Sequence, residues 1–597
     1  MYNKFCKKQL WECSRELTAT ALGAIPAETV IKNAKLINVC TKEILENTDV
    51  AIHSGRIALV GDGSHCIGED TKVIDADGMY IAPGFLDGHI HIESSMLSPG
   101  EYARAVVPHG TTGIYYDPHE ICNVLGFEGV ELMVKDAEKT PLKAMLTVPS
   151  CVPAVPGFED NGAVITSADI RKQMKMNEVV GLGEMMNFPG IHTCNEETHA
   201  ITGETLKAGK IVTGHYSIPD TGMGLNAYIA SGARCCHEST RAEDALQKMR
   251  LGMYAMLREG SAWHDLEEVC HAVKDQTIDS RYAVLVSDDT HPHTLVNDGH
   301  LDHIVRRAIS EGIDPVEAVQ MVTINCAQCF HMDHEIGSVA PGKCADIVFI
   351  DNLKDFRVKK VMIDGELVAE DGKMICEIPA GEFPEYALHT MHVGEEITPE
   401  TFKITTQKQD QVTVRAIEII PERVGNYERH VTLQVTNGTI ESDTDQDVLK
   451  AFVFERHQNT GTHGIGFVKG FNIKSGAMAS TVAHDAHNML VIGTNDEDMA
   501  LAANTLIKCG GGMCAVQNGK VLGCVELPFA GLMNLKSAEE MSENVEELDK
   551  AWKTIGCDIV SPFMTMALIP LACLPELRLT NRGLVDCTKF TFAELEV

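Results

Sequence analysis

The stretch "FLDGHIHIESS" occupies residues 85–95 and directly follows a Pro-Gly turn pair. A short apolar run bounded by a turn predicts a buried β-strand. Because alternate residues of a strand point to the same face, we expect His89, His91 and Glu93 to project together. Two imidazoles and a carboxylate at one point predict a metal site, provided that the rest of the chain supplies further ligands.

Apolar segments of the same kind recur through the middle of the chain, over residues 81–334, with helix-like amphipathic stretches between them. After the first come "TTGIYYDPHE", "KAMLTVPSCV", "VVGLGEMMN", "KIVTGHY", "ARCCHES", "YAMLREG" and "YAVLVSDDT". Eight strand-and-helix units in roughly 250 residues are typical of a (β/α)8 TIM barrel. The polar residues of these segments stand at their C-terminal ends, where barrel enzymes keep their active sites.

The segments on either side of the predicted barrel are organised differently. Residues 28–80 and 335–380 contain short β-branched runs with turns, which predict one composite β domain, a small β-sandwich built from both flanks. Residues 1–27 resemble a short helical lead. Residues 381–597 have their own strands, helices and Gly-rich turns, so we expect a separate C-terminal α/β domain. The fold class is therefore α/β.

Composition limits the partners and the location of the protein. The 597 residues carry a formal net charge of −35, from 50 basic and 85 acidic residues, so nucleic acid and membrane surfaces are poor partners. No apolar run approaches the roughly 20 residues of a membrane helix, and no signal peptide is recognisable. The 20 cysteines are scattered through apolar runs, which favours reduced thiols. We therefore expect a cytoplasmic protein.

Further candidate ligands stand at the ends of later predicted strands. Imidazoles and carboxylates suit a divalent zinc, iron or manganese ion, although a single such histidine is more often a core residue. Six groups are too many for one four-coordinate ion, so we expect two ions with Glu184 as a bridging carboxylate. Glu238 competes with its neighbour His237 for one position. The six predicted metal ligands are His89, His91, Glu184, His215, His237 and Asp288.

The predicted chemistry follows from two cations at one place. A water that bridges them loses a proton near neutral pH and becomes a hydroxide nucleophile. Asp288, after the last predicted strand, is the candidate general base that takes this proton. The sequence thus predicts hydrolytic attack on an electrophilic sp² carbon that carries a nitrogen or oxygen leaving group.

Several long motifs resemble one family. "APGFLDGHIHIESSM", "PHGTTGIYYDPHEICNVLG", "GLGEMMNFPG", "SDDTHPHTLVNDGHLDHIVRRAI" and "VAHDAHNMLVIGTNDEDMALA" are similar to bacterial adenine deaminases of the amidohydrolase superfamily. The similarity extends from about residue 25 into the C-terminal domain. It implies hydrolysis of adenine to hypoxanthine and ammonia in purine salvage, with manganese as the expected metal and iron or zinc as alternatives.

The resemblance also implies roles for residues near the predicted ligands. Glu120 is the candidate proton shuttle to the ring and to the departing amine. Asp117 and His119 lie beside it and are candidates to bind the ring or a metal, and Asp289 is a further candidate to bind substrate. The alternative for "DPHE" is a turn followed by a helix N-cap. The expected partner is a small purine base, and the expected assembly is a homo-oligomer, a dimer.

The motif "HDAHN" in the C-terminal domain holds His484, Asp485 and His487, with Arg456, His457 and His463 nearby in sequence. It is compatible with a further metal site, with a lid over the barrel, or with a polar cluster at the domain interface, of which we favour the last.

Two other functions remain as alternatives. An amide deacetylase acting on a sugar phosphate would need a basic cluster for the phosphate, and none stands near the predicted strand ends. A non-enzymatic scaffold protein would be expected to have lost ligands, whereas all six predicted positions carry one.

Overall fold

A computed structural model describes residues 5–394, 396–420 and 425–597. The first four residues of the predicted helical lead, and residues 395 and 421–424 of the predicted C-terminal domain, lie outside this part. The lead contains helix α1 (Leu10–Ala21), which starts with a capping box between Gln9 and Glu12. Its apolar face buries Cys13 and Leu17 against Ala58 of the following domain.

The first β segment supplies five strands: β1 (Thr29–Asn38), β2 (Glu43–His53), β3 (Arg56–Gly61), β4 (Lys72–Asp75) and β5 (Tyr80–Pro83). Strand β1 pairs antiparallel with β2 and parallel with β4 and β5. The chain leaves this sheet through β5 and enters the barrel directly. The β domain therefore forms a base from which the first barrel strand starts.

The barrel consists of parallel strands that are neighbours in space in the order in which they follow along the chain. They are β6 (Phe85–Ile90), β7 (Thr111–Tyr116), β8 (Lys143–Val148), β9 (Val179–Met185), β10 (Ile211–Gly214), β11 (Ala233–Cys236), β12 (Tyr254–Arg258) and β13 (Ala283–Val286). The barrel closes because Asp288, just beyond β13, bonds with the first strand: its N–H donates to the carbonyl of His89 at 3.0 Å. The predicted TIM barrel is confirmed.

Helices follow the barrel strands: α2 (Pro99–Val106), α3 (His119–Ala137), α4 (Ser167–Gln173), α5 (Phe188–His192), α6 (Glu196–Lys207), α7 (Met223–Ala230), α8 (Ala242–Arg250), α9 (Leu266–Val269), α10 (His271–Lys274), α11 (Pro292–Asn297), α12 (Leu301–Ser310), α13 (Pro315–Met321) and α14 (Ile324–Cys329). Helix α12 shows why they pack on the strands: it buries Leu301, Ile304, Val305 and Ala308, which share one face at helical spacing.

The expectation for Glu93 was wrong. Strand β6 ends at Ile90, and Glu93 lies in a 3₁₀ helix (Ile92–Ser95), so it is out of register with the two histidines. Its carboxylate accepts a hydrogen bond from the N–H of Ile121 at 3.2 Å instead. Further 3₁₀ helices span Ser64–Cys66, Val107–His109, Ser280–Tyr282 and Pro399–Phe402.

After the barrel the chain returns to the first sheet with β14 (Ile347–Ile350), β15 (Val358–Ile363), β16 (Glu366–Glu370) and β17 (Lys373–Met374). Strand β14 pairs antiparallel with β5, so strands from both flanks form one sheet in the order β17-β16-β15-β14-β5-β1-β2-β3, with β4 beside β1. Ile31, Val50, Ile347 and Phe349 share its core. The composite β domain is thus built from the chain segments that enter and leave the barrel.

The C-terminal domain mixes strands and helices, as expected. Its described elements are α15 (Glu385–Leu388), β18 (Ile404–Thr405), β19 (Gln411–Ile419), β20 (Asn426–Thr436), β21 (Thr439–Ile440), β22 (Val448–Phe454), β23 (His463–Lys469), β24 (Ala477–Ser480), β25 (Met489–Gly493), α16 (Asp496–Cys509), β26 (Gly512–Gln517), β27 (Lys520–Glu526), α17 (Ala538–Ile555), α18 (Pro562–Ala567), β28 (Leu577–Thr580), β29 (Gly583–Asp586) and β30 (Thr591–Ala593). The large sheet has the order β18-β21-β20-β19-β23-β22-β25-β24-β26-β27, and β28-β29-β30 form a small one.

The C-terminal domain packs on the end of the barrel that carries the strand C-termini. Asp160, in the loop after β8, pairs with Arg582 at 2.5 Å and accepts a hydrogen bond from the side chain of Asn581 at 2.7 Å. The side chain of Asn488 donates to the carbonyl of Asp160 at 2.9 Å. These contacts fix the domain over the barrel mouth. No helix within the described ranges is both long and apolar enough to cross a bilayer.

Candidate active site

The structure brings the six predicted metal ligands together at the C-terminal end of the barrel. Asp288 Oδ1 lies 3.4 Å from the Nε2 atoms of both His89 and His91. Glu184, at the end of β9, has Oε1 3.4 Å from His91 Nε2. Its other oxygen, Oε2, lies 2.6 Å from His215 Nδ1 and 3.2 Å from His237 Nε2. The two oxygens of Glu184 therefore face different sets of imidazoles, which is the arrangement expected of a bridging carboxylate.

These donors fit divalent cations. Ligand atoms lie within 4.8 Å of one another in three overlapping groups: His89, His91 and Asp288; His89, Glu184 and His237; and His91, His119 and Glu184. The side chains are buried, yet Nε2 of His89 has no hydrogen-bond partner among the described residues. A buried polar atom without a partner is costly, and a cation relieves that cost. Mixed imidazole and carboxylate donors suit zinc, iron or manganese.

The charges of the site favour the ionised carboxylates that a cation needs. Burial alone would raise the pKa of the Glu184 carboxyl, but the imidazoles of His215 and His237 outweigh burial and hold this pKa well below its ordinary value. Against burial, His237 and His89 likewise hold the pKa of Asp288 well below its ordinary value. Both groups therefore offer negative oxygens at neutral pH.

The structure separates His237 from its competitor Glu238. The ring of His237 stacks on that of His89 with centroids 3.8 Å apart and faces Glu184. Glu238 is instead held by Arg258, whose Nη1 lies 2.7 Å from Oε1. His237 is thus the one of the two that joins the main ligand group.

Arg258 is a functional-site residue that the sequence reasoning missed. It stands at the C-terminal end of β12, is 3% exposed, and donates from Nη1 to Oδ2 of Asp288 at 2.7 Å. Its Nη2 donates to Asp265 at 2.7 Å. A charged residue at the end of a barrel strand is a sequence signal for the active site. Arg258 fixes the orientation of the Asp288 carboxylate.

Glu120 lies beside the cavity rather than in it. Ser94 Oγ is 3.0 Å from Glu120 Oε1 and 2.5 Å from Asp289 Oδ1. A hydroxyl has a single proton to donate, so both contacts are hydrogen bonds only when one of the two carboxyls also carries a proton. Asp289 lines the cavity. Glu120, Ser94 and Asp289 therefore form a chain along which a proton can reach the cavity.

The structure gives Asp117 and His119 different surroundings. Asp117 is absent from the described residues that line the cavity; its Oδ2 accepts a hydrogen bond from the N–H of Glu184 at 2.7 Å. This approach needs Gly183, since a Cβ there would lie 2.4 Å from Asp117 Oδ2. His119 begins helix α3 and lines the cavity, with Nδ1 3.4 Å from Glu184 Oε1. Asp117 supports the strand end, and His119 borders the cavity.

The C-terminal domain completes the cavity. Leu568, Leu571, Cys573 and Leu574 form an apolar wall together with Met564 of α18. From the "HDAHN" motif, His484 and Asp485 line the cavity as well. His487 is not among the described residues that line it, and its Nε2 lies 3.6 Å from Glu120 Oε2. The motif is therefore both a polar cluster at the domain interface and part of the roof over the barrel mouth.

The remaining residues near this motif have structural contacts. The buried guanidinium of Arg456 donates to the carbonyl of Ala530 at 2.9 Å and to that of His487. His457 contacts the carbonyl of Ala486 at 2.7 Å. His463 lies on β23 with its ring 5.2 Å from that of Phe454. Arg456 and His457 hold the motif in place.

A closed barrel with a His-x-His at the end of its first strand, a carboxylate at the end of its fourth strand and another just beyond its eighth defines a metal-dependent hydrolase of the amidohydrolase class. The model of the amidohydrolase family matches residues 80–368, and that of the adenine deaminase C-terminal domain matches residues 424–591. "Adenine deaminase" of Clostridium botulinum (strain 657 / Type Ba4) is 69% identical over 595 residues, which cover 100% of this chain and 99% of that protein. "Adenine deaminase" of Moorella thermoacetica is 51% identical over 590 residues, 99% of each chain. The chain belongs to the adenine deaminase family.

Proposed function

We propose that the protein hydrolyses adenine to hypoxanthine and ammonia with two divalent ions, manganese foremost. The observation that carries this proposal is the convergence of the six predicted ligands, Glu184 among them, at the C-terminal end of the barrel, in a chain that aligns over its full length with relatives named adenine deaminase. His89, His91, His215, His237, Glu184 and Asp288 would hold the ions. When bound, such ions supply Lewis-acid chemistry and acidify water.

Asp288 is the proposed base. Its Oδ2 accepts one hydrogen bond from Arg258, and a carboxylate oxygen has a second lone pair that can take a proton from the attacking water. The water oxygen adds to C6 of the purine, and the C6–N bond to the amino group breaks. Arg258 keeps the acceptor oxygen in place throughout, so little reorganisation is needed during the reaction.

Glu120 is the proposed source of the proton for the ring nitrogen, and this proton passes through Ser94 to Asp289, which borders the cavity. The proton that Asp288 takes from the attacking water goes to the departing amine, and the proton left on the C6 hydroxyl returns to Glu120 as the C6=O bond forms. His119, at the start of α3 in the barrel, would contact the purine ring. The apolar wall formed by the C-terminal domain would hold the flat purine and exclude bulk water, which strengthens the polar interactions of the site.

The decisive experiment is to incubate manganese-loaded protein with adenine and to measure ammonia and hypoxanthine. We expect turnover that a chelator removes and that manganese restores. A Glu184→Gln variant, nearly the same in shape, is the matched control. Protein that retains its metal but releases no ammonia would reject the proposal. The cytoplasmic location and the homodimer stay predictions.

A further inference from the structure

Asp485 enters the cavity from the C-terminal domain, on the segment between β24 and β25. It is 3% exposed, and its Oδ1 lies 3.6 Å from His119 Nε2 and 3.7 Å from His484 Nδ1. Its other oxygen, Oδ2, is buried and has no hydrogen-bond partner among the described residues. A buried carboxylate oxygen without a donor is costly, so the site calls for a ligand that brings an N–H or O–H group.

The position of Asp485 relative to the metal ligands indicates which part of a ligand it meets. The ring of His119 lies between the two carboxylates, with Nδ1 3.4 Å from Glu184 and Nε2 3.6 Å from Asp485. One imidazole ring and two contacts therefore separate Glu184 from Asp485. A fused bicyclic base lying alongside His119, with a contact at each end, fills the same span. In that placement its reacting carbon would face Glu184, and its far edge would face Asp485.

The rest of the lining indicates the shape of the ligand. Leu568, Leu571 and Leu574 lie on the side of the C-terminal domain, and Trp263 on the side of the barrel. Such walls favour a flat apolar body over a polar sugar, because burying hydroxyl groups without partners is unfavourable.

We propose that Asp485 accepts a hydrogen bond from the imidazole-ring N–H of a free purine base and thereby selects free bases over purines substituted at that nitrogen. This inference rests on the proposed function. A purine with a sugar or methyl group at that nitrogen has no hydrogen to donate and leaves Asp485 unpaired. The carboxylate is thus a specificity-determining residue contributed by the C-terminal domain.

The segment that carries Asp485 is held firmly enough for this role. The N–H of His484 donates to the carbonyl of Ala567 at 2.9 Å, and the side chain of Asn488 donates to the carbonyl of Asp160 at 2.9 Å. Contacts on both sides of Asp485 thus tie the segment to α18 and to the barrel. A preorganised acceptor loses little entropy when the base binds.

The test compares kcat/KM for adenine, 7-methyladenine and 9-methyladenine in the wild type and in Asp485→Asn and Asp485→Ala. A hydrogen bond to a charged group corresponds to roughly ten- to a hundredfold in kcat/KM. We expect the wild type to prefer adenine to one of the methylated bases by at least this factor. Asp485→Ala should lose the preference, mainly because its kcat/KM for adenine falls. Asp485→Asn, which conserves volume, should fall between them.

Asp160→Asn is the matched control, because it weakens the docking of the domain without altering the cavity lining. It should leave the preference unchanged, whatever its effect on overall rate. An unaltered preference in Asp485→Ala, or an equal loss in Asp160→Asn, would overturn the inference. So would the loss of one bound metal equivalent in Asp485→Asn, which would assign His119, His484 and Asp485 to a cation. Wild-type protein that deaminates no adenine would reject the proposed function itself.

Discussion

Arg258 offers the sharpest test of how the site is built, because one guanidinium holds three carboxylates, of which Asp288 is buried. Nη1 lies 2.7 Å from both Asp288 and Glu238, and Nη2 lies 2.7 Å from Asp265. Replacing Arg258 with Met keeps much of the volume but leaves these carboxylates without their cation. Breaking a buried ion pair in this way costs about 3–5 kcal/mol of stability.

The catalytic effect of Arg258→Met should be separable from the loss of stability. Asp288 would lose the donor that fixes Oδ2, and removing such a supporting partner of a ligand lowers activity or metal affinity by roughly 10- to 100-fold. We therefore expect kcat for adenine to fall within this range while KM changes little. Arg258→Lys should recover stability better than activity, since an ammonium restores the charge but not the planar fork that holds several acceptors.

The assay is ammonia release at saturating and limiting adenine, with bound manganese measured on the same samples and thermal unfolding followed in parallel. Data should be taken well below the unfolding temperature, so that loss of fold does not imitate loss of catalysis. If Arg258→Met kept kcat within about threefold of the wild type and unfolded at the same temperature, the positioning role of Arg258 would be refuted.

Three further changes test the bridge, the proton shuttle and a buried carboxyl outside the cavity lining. Glu184→Gln should lower bound metal below one equivalent and reduce turnover by more than the roughly hundredfold typical of a supporting residue, and normal metal content would remove Glu184 from the bridge. Glu120→Gln should keep its metal but lose about 10²- to 10⁴-fold in kcat, as expected for a general acid, and an unchanged kcat would contradict the shuttle. Burial, with a smaller contribution from Asp485, raises the pKa of Glu159 to about 8. Since the folded pKa then exceeds the unfolded one, stability present at acid pH is lost as the pH rises toward 8. The side chain of Glu159→Gln cannot ionise, so this variant should unfold at a higher temperature than the wild type at pH ~8.5 and at a similar temperature at pH ~5. A higher unfolding temperature at both pH values would contradict the raised pKa of Glu159.

The pattern of apolar residues was enough to predict the barrel strands and the residues at their ends. The eight apolar segments were predictable because barrel strands are buried on both faces and stand out as short apolar runs. The same geometry gathers every strand end on one rim, so His89, Glu184 and Asp288 could be grouped although they lie far apart in sequence. Glu93 shows the limit: the alternation continues in the sequence, but the backbone has already left the sheet at Ile90.

Contacts between side chains of distant segments could not be predicted in this way. Ser94 joins Asp289 across 195 residues, and nothing in the local pattern around either residue marks the other. The role of Asp485 could not be predicted either. A polar motif has the same sequence whether it lines a cavity or lies at a domain interface.

The amino-acid sequence by itself determined the barrel, the six candidate ligands and the class of chemistry, since these depend on local periodicity and on residue type. The tertiary structure alone decided which oxygen of Glu184 faces which imidazoles, that Arg258 holds Asp288, and that the C-terminal domain roofs the cavity with Asp485. These features depend on how separate segments pack in three dimensions, and packing is set by the whole chain rather than by any one stretch of it.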